Sequence, residues 1–131
     1  MGVLDNFIET TNSDNRFEFC NQDRTEEIII GGDVTHVYEL PFIYSSIIES
    51  GSIIYQQGLE RKWSFTIADN MIIENPAEGV SYIRLHLNPE ITGQFKKTIL
   101  TTYSQVKLRT VTGEIIFDKP HKIIVRNTLE I

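Results

Sequence analysis

Apolar and polar residues alternate along most of the chain from Glu26 onward, which is the pattern of β-strands that bury one face. The clearest alternation covers residues 62–67, where Trp63, Phe65 and Ile67 share one face and polar residues occupy the other. β-Branched runs that end at Gly, Pro or Asn indicate where the strands stop. Strands are predicted at residues 27–30, 34–40, 52–57, 62–67, 70–74, 80–87, 103–111, 115–117 and 122–126.

One short helix is predicted among these strands. Asn88 is a favourable N-cap, Pro89 suits the first helical position and Glu90 suits the first turn. Gly93 and the β-branched run after it limit the helix to one or two turns. Phe95 is then spaced to reach the core.

Short strands with regularly spaced turn signals predict an all-β fold, an immunoglobulin-like β-sandwich of about seven to nine mostly antiparallel strands. This fold contains the short helical turn near residues 88–95, and a hairpin with its turn at residues 112–114. An open barrel is the alternative architecture. Residues 26–131 are expected to form the sandwich domain, and the polar, unperiodic residues 1–25 an extended acidic N-terminal arm.

Charge is unevenly distributed along the chain, whose net charge is −6. Residues 1–33 contain eight acidic and two basic residues, whereas residues 96–126 contain seven basic and two acidic residues. One interpretation is a solvated surface; the other is a subunit contact in which the acidic arm lies on a neighbour's basic sheet. The second interpretation predicts interface residues within 1–24 and 96–126, namely Phe7, Arg16, Phe17, Phe19, Lys96, Lys97, Lys107, Arg109, Lys122 and Arg126.

The same composition argues against other kinds of partner. Nucleic acid requires a basic footprint, which an acidic chain lacks, so no nucleic acid is expected. No apolar run approaches the ~20 residues of a membrane helix, so no membrane partner is expected either. The first residues lack the features of a secretion signal, which predicts a cytosolic origin.

The sequence contains no recognisable catalytic or metal-binding pattern. His36, His86 and His121 have no metal-ligand spacing, and the single cysteine, Cys20, has no partner for a disulfide or thiolate site. No nucleophile elbow or phosphate loop is present. The acidic residues concentrate at the N-terminus, whereas a glycosidase site needs a carboxylate in an apolar cleft. The sequence therefore predicts a non-enzymatic protein without metal or cofactor.

Four tyrosines offer a different kind of site. As exposed aromatic residues, they could form a carbohydrate platform or a nucleic-acid stacking face; cross-strand packing and interface anchoring are the more ordinary roles of tyrosine on a sandwich. These residues are Tyr44, Tyr55, Tyr82 and Tyr103.

Three segments carry a resemblance to known proteins. The first is residues 32–42, which finish with Leu-Pro-Phe at the end of a strand. The second is residues 83–95, which contain Leu-Asn-Pro-Glu-Ile-Thr and a later Phe. The third is residues 105–114, in which Gln-Xaa-Xaa-Leu-Arg precedes Thr-Gly. Their order resembles small β-rich structural proteins of phages and prophages of Gram-positive bacteria. The likeness covers roughly residues 31–130 and leaves out the N-terminal arm.

The resemblance implies a virion component that is made in the host cytoplasm and binds other virion proteins, or copies of itself, in an oligomeric assembly. A capsid-associated decoration or joining protein and a small tail or connector protein are the expected forms. A carbohydrate- or receptor-binding β-sandwich module of a phage fibre is the alternative.

Overall fold

The computed structural model describes residues 26–97 and 101–127, and within them the chain forms nine β-strands and three short helices. The predicted arm, residues 1–25, lies outside the described residues. Helices α1 and α2 cover Tyr44–Ile47 and Pro89–Thr92, and a 3-10 turn covers Asp69–Met71. The strands are β1 (Glu26–Ile29), β2 (Val34–Leu40), β3 (Ile48–Gln57), β4 (Arg61–Thr66), β5 (Ile72–Asn75), β6 (Val80–Leu87), β7 (Thr102–Thr110), β8 (Ile115–Phe117) and β9 (His121–Arg126).

The strands pair into two sheets. One has the order β1-β9-β7-β3-β4, with β8 also paired to β7, and the other has the order β2-β6-β5. All pairings are antiparallel except β1 with β9. The predicted all-β sandwich is confirmed, with two separate sheets rather than an open barrel in the described chain. Its immunoglobulin-like connectivity stays a prediction.

Alternation along the strands places one apolar row of each sheet in a shared core. In β3, Ile53 and Tyr55 point inward and are fully buried, and in β7 Val106 and Leu108 do the same. Burying each such aliphatic side chain contributes about 1.5–3 kcal/mol before entropy is counted. The buried apolar core is Ile28, Tyr38, Leu40, Phe42, Tyr44, Ile48, Ile53, Tyr55, Ile67, Ile83, Leu85, Leu87, Phe95, Val106, Leu108, Ile116 and Ile123.

The predicted helical turn forms as the sequence indicates. The Asn88 side chain accepts a hydrogen bond from the Ile91 backbone N–H at 3.0 Å, so Asn88 is the N-cap of the helix. Thr92 Oγ1 donates to the Gly32 carbonyl at 2.7 Å, and Phe95 then stacks on Trp63 with ring centroids 4.1 Å apart. Helix α1 and the 3-10 turn were not predicted, because neither has a side-chain cap that would mark its start. No helix in residues 26–97 and 101–127 combines the length and apolarity of a membrane span.

Gly51 lets β3 and β7 pack closely. A Cβ atom at this position would lie 2.7 Å from Leu108 Cδ2, 2.9 Å from Ile67 Cδ1 and 3.1 Å from the Lys107 carbonyl oxygen. Leu108 and Ile67 are buried, so they have little room to move away.

Gly51→Ala is therefore expected to lower the free energy of unfolding by about 1–3 kcal/mol through overpacking. Urea denaturation followed by circular dichroism measures this loss. Gly32→Ala is the matched control, because a Cβ there would make ordinary contacts of 3.4–3.5 Å with Ile29. Equal stability of the two variants would contradict the packing argument.

Candidate functional site

The outer face of the six-stranded sheet brings basic and apolar side chains together. Along β7, residues 103, 105, 107 and 109 point outward, while the alternate residues are buried. The strand register sets Lys107 beside Ser52 and Phe117, and Tyr103 beside Gln56 and Lys122. We call this surface the basic face; its main residues are Ile54, Lys62, Tyr103, Lys107, Arg109, Ile115, Phe117, Lys122, Ile124 and Arg126.

The charges of the basic face are mostly unneutralised. Arg126 pairs with Glu27 of β1 at 3.2 Å, but both side chains are close to half exposed, so this ion pair contributes little to stability. The Lys107 ammonium lies 5.7 Å from the Phe117 ring centroid, in a cation–π contact. Within the described chain, Lys62, Lys107, Arg109 and Lys122 make no ion pair with an acidic side chain.

A shallow groove of about 300 Å³ crosses the basic face at β3. Small residues of β3 form its bottom, and longer side chains of β7 and β8 border it. Its lining includes Ser50, Ser52, Thr66, Lys107, Arg109 and Ile115.

The structure unites some of the predicted interface residues and separates others. Lys107, Arg109, Lys122 and Arg126 share the basic face. Lys96 does not belong to it, because its backbone N–H donates to Oε1 of the inward-facing Gln57 at 2.9 Å, at one end of the sandwich, and Lys97 follows it there. Four predicted residues lie outside the described residues, namely Phe7, Arg16, Phe17 and Phe19. The apolar members Ile54, Phe117 and Ile124 were missed, although strand alternation would have placed them beside the bases.

The prediction that all four tyrosines are exposed is wrong, which removes the alternative of a shared tyrosine platform. Tyr55 is fully buried and Tyr44 is 9% exposed. Tyr82 faces outward on the three-stranded sheet and Tyr103 on the six-stranded sheet, so these two do not share a surface. Tyr55 lies inside because it occupies the same face of β3 as Ile53 and its hydroxyl finds hydrogen-bond partners there.

A chain of buried hydrogen bonds joins the two sheets. His36 Nε2 donates to the Glu27 carbonyl at 2.8 Å, and His36 Nδ1 lies 2.6 Å from the Tyr55 hydroxyl. The Tyr55 and Tyr38 hydroxyls are 3.0 Å apart, and Tyr38 donates to Ser104 Oγ at 3.0 Å. His36 and Tyr38 belong to β2 of one sheet, and the other three residues belong to the six-stranded sheet.

Burial determines the protonation state of the Tyr55 hydroxyl in this series of hydrogen bonds. Desolvation, followed by the neighbouring Tyr38 and Glu26, raises the pKa of Tyr55 well above 10. The Tyr55 hydroxyl therefore stays neutral and hydrogen-bonded. Nearby, His121 Nε2 lies 2.6 Å from Asp118 Oδ2, with both side chains almost completely buried. Because these groups do not reach the surface, their evident role is to link strands.

The third histidine is exposed. His86 Nε2 lies 2.9 Å from Asp33 Oδ1 on the surface of the three-stranded sheet. The three histidines are thus hydrogen-bonded side chains, two buried and one exposed. Among the described residues, no group of three or more His, Cys, Asp or Glu could hold a metal ion.

Comparison with known proteins gives no further assignment. A scan against models of protein families finds no match, and neither does a search of the curated proteins. The structure alone therefore defines the class of protein, which is an all-β protein with a two-sheet sandwich and an exposed basic sheet face.

Tyr55→Phe is expected to lower the free energy of unfolding by about 1–3 kcal/mol at neutral pH, because Phe removes the buried hydroxyl that His36 Nδ1 and the Tyr38 hydroxyl contact. Tyr103→Phe, which removes an exposed hydroxyl, is the matched control.

The same variant should also change the response to alkali. The raised pKa of Tyr55 means that above pH 10 the unfolded chain loses this proton while the folded chain keeps it, so stability falls as pH rises. Without the hydroxyl, the loss of stability between pH 9 and about pH 11 should be smaller by about 1.4 kcal/mol in total. Urea unfolding between pH 9 and about pH 11 measures it, and parallel curves for both proteins would contradict the assignment.

Proposed function

We propose that this chain is a non-enzymatic structural component of a bacteriophage virion that acts by binding other protein subunits. A capsid-associated decoration or joining protein and a small tail or connector protein are both consistent with this role. The basic face is the observation that carries the proposal. It supplies a broad surface rather than a cleft, which suits contact with another subunit.

The composition of the basic face favours a protein partner over simple solvation. Tyr103 is 44% exposed and Ile115 is 40% exposed, and both lie among lysine and arginine side chains with long apolar stems. Aromatic residues and arginine are enriched in protein interfaces relative to other surface. Burying such a surface against a partner is more favourable in free energy than burying a uniformly charged face, because apolar area is removed from water.

The charge of the basic face indicates the chemistry of the partner surface. Lys62, Lys107, Arg109 and Lys122 lack an acidic partner in the described chain, so an acidic surface would be attracted and oriented. Residues 1–33 of this chain, with eight acidic and two basic residues, supply such charge if copies assemble. Acidic segments of other virion proteins would serve equally.

The virion setting depends on the resemblance to phage structural proteins. One of its motifs, Leu-Asn-Pro-Glu-Ile-Thr, has a clear structural task here: Asn88 caps helix α2, and Thr92 ties that helix to Gly32. This motif therefore supports the fold more than a particular activity. The alternative function, a carbohydrate- or receptor-binding fibre module, depended on four exposed tyrosines, and Tyr44 and Tyr55 are buried. No other feature of the described residues favours this alternative.

Charge reversal on the basic face tests the proposal. Lys107→Glu combined with Arg109→Glu should lower incorporation of the chain into phage particles by at least about tenfold, because both charges would repel an acidic partner. Quantitative mass spectrometry of gradient-purified particles, produced in the source bacterium, measures the copy number per particle.

Arg84→Glu provides the control, since Arg84 is exposed on the outer face of the three-stranded sheet. Its incorporation should match the wild type. Absence of the wild-type chain from purified particles would refute the virion role, and equal incorporation of all variants would refute the role of the basic face.

A further inference from the structure

We propose that the groove on the basic face is a receptor site for a glutamate or aspartate side chain of an extended acidic peptide from a partner subunit. This inference rests on the proposed function and names the element that the partner inserts. Its basis is the set of side chains that line the groove, their hydrogen-bonding capacity and their charge.

The groove exists because β3 carries small residues where β7 carries long ones. Ser50 and Ser52 lie opposite Arg109 and Lys107 of β7, and Ser52 also lies opposite the short Thr66 of β4. The register shifts between Ile48 and Ser50, which bends β3 at this end of the groove. The short side chains of β3 and Thr66 therefore leave a depression beside the lysine and the arginine of β7.

The lining of the groove is suited to a carboxylate. Lys107 and Arg109 supply two positive charges, and the guanidinium can bind both carboxylate oxygens at once. The hydroxyls of Ser50, Ser52 and Thr66 make no side-chain hydrogen bond within the described chain, so they remain able to donate. No acidic residue lines the groove to neutralise these groups internally.

The surroundings of the groove favour a peptide as the source of the carboxylate. Ile115 borders the groove and is 40% exposed, and Phe117 and Ile54 lie in neighbouring positions of the same face. An extended peptide with an acidic side chain in the groove would set apolar neighbours against these residues. A small phosphate ion would use only the charges and leave the apolar border exposed.

Binding of a designed peptide to the purified full chain tests the proposal. The probe is a short fluorescein-labelled peptide of alternating glutamate and valine, compared with one in which glutamine replaces glutamate. Fluorescence anisotropy at low salt should show binding of the glutamate peptide and at least about tenfold weaker binding of the glutamine peptide. Failure of the glutamate peptide to bind would overturn the proposal.

Single substitutions separate the groove from general electrostatic attraction. Arg109→Gln and Lys107→Gln should each weaken binding by about tenfold. Arg84→Gln removes one exposed charge from the outer face of the three-stranded sheet, outside the basic face, and should change binding by less than about twofold. Equal effects of Arg84→Gln and Arg109→Gln would show attraction without a site and would overturn the proposal.

A neutral substitution tests the shape of the groove. Ser52→Val keeps every charge but replaces a hydroxyl with methyl groups in the depression, so peptide binding should fall by about fivefold or more. Unchanged binding would overturn the assignment of the groove. Stronger competition by inorganic phosphate than by acetate at equal ionic strength would assign the groove to a phosphate group and would also overturn it.

The peptide-binding experiment can fail independently of the particle-incorporation experiment. If the chain is present in particles while the groove variants bind the peptide like the wild type, only the groove assignment fails. If the groove binds the peptide as expected but the chain is absent from particles, the acidic-peptide site stands and the virion role fails.

Discussion

The arrangement of the two sheets depends on the hydrogen-bond chain that runs from the Glu27 carbonyl through His36, Tyr55 and Tyr38 to Ser104. Apolar contact is non-directional, so the aliphatic core alone would tolerate small shifts of one sheet over the other. Buried polar groups do not tolerate such shifts, because each one left without a partner costs about 1–3 kcal/mol. These buried hydrogen bonds therefore allow only one placement of β2 against β1, β3 and β7.

That placement also determines the composition of the basic face. Once Tyr55 and Ser104 point inward, the two-residue period of a strand sends Ile54, Tyr103 and Lys107 outward. A slip of one residue in β7 would bury its bases and expose Val106 and its apolar neighbours. The interior hydrogen bonds and the exterior contact surface are thus two consequences of one register, which ties the proposed binding surface to the stability of the fold.

Much of the fold is readable from the sequence, because its signals are local. Strands β2 and β6 begin and end where their alternation does, and Asn88 marks the helical turn. The parallel pairing of β1 with β9 and the burial of Tyr55 are not local properties, since they depend on which distant strands meet. The basic face was predicted only in part for the same reason. The charge count along the sequence grouped Lys96 with Lys107, but only the strand register shows which basic residues share a face.

The same structure favours association through the basic face over association through strand edges. A partner that adds a strand needs a long edge with accessible backbone groups. Among the described strands, β5 spans Ile72–Asn75 and β8 spans Ile115–Phe117, and Pro120 separates β8 from β9. The edge strands β2 and β4 are longer, but β2 carries Glu39 and β4 carries Lys62, and charged side chains discourage edge pairing. The broad outer face, where charge and apolar area coincide, is the surface with the most to gain from a partner.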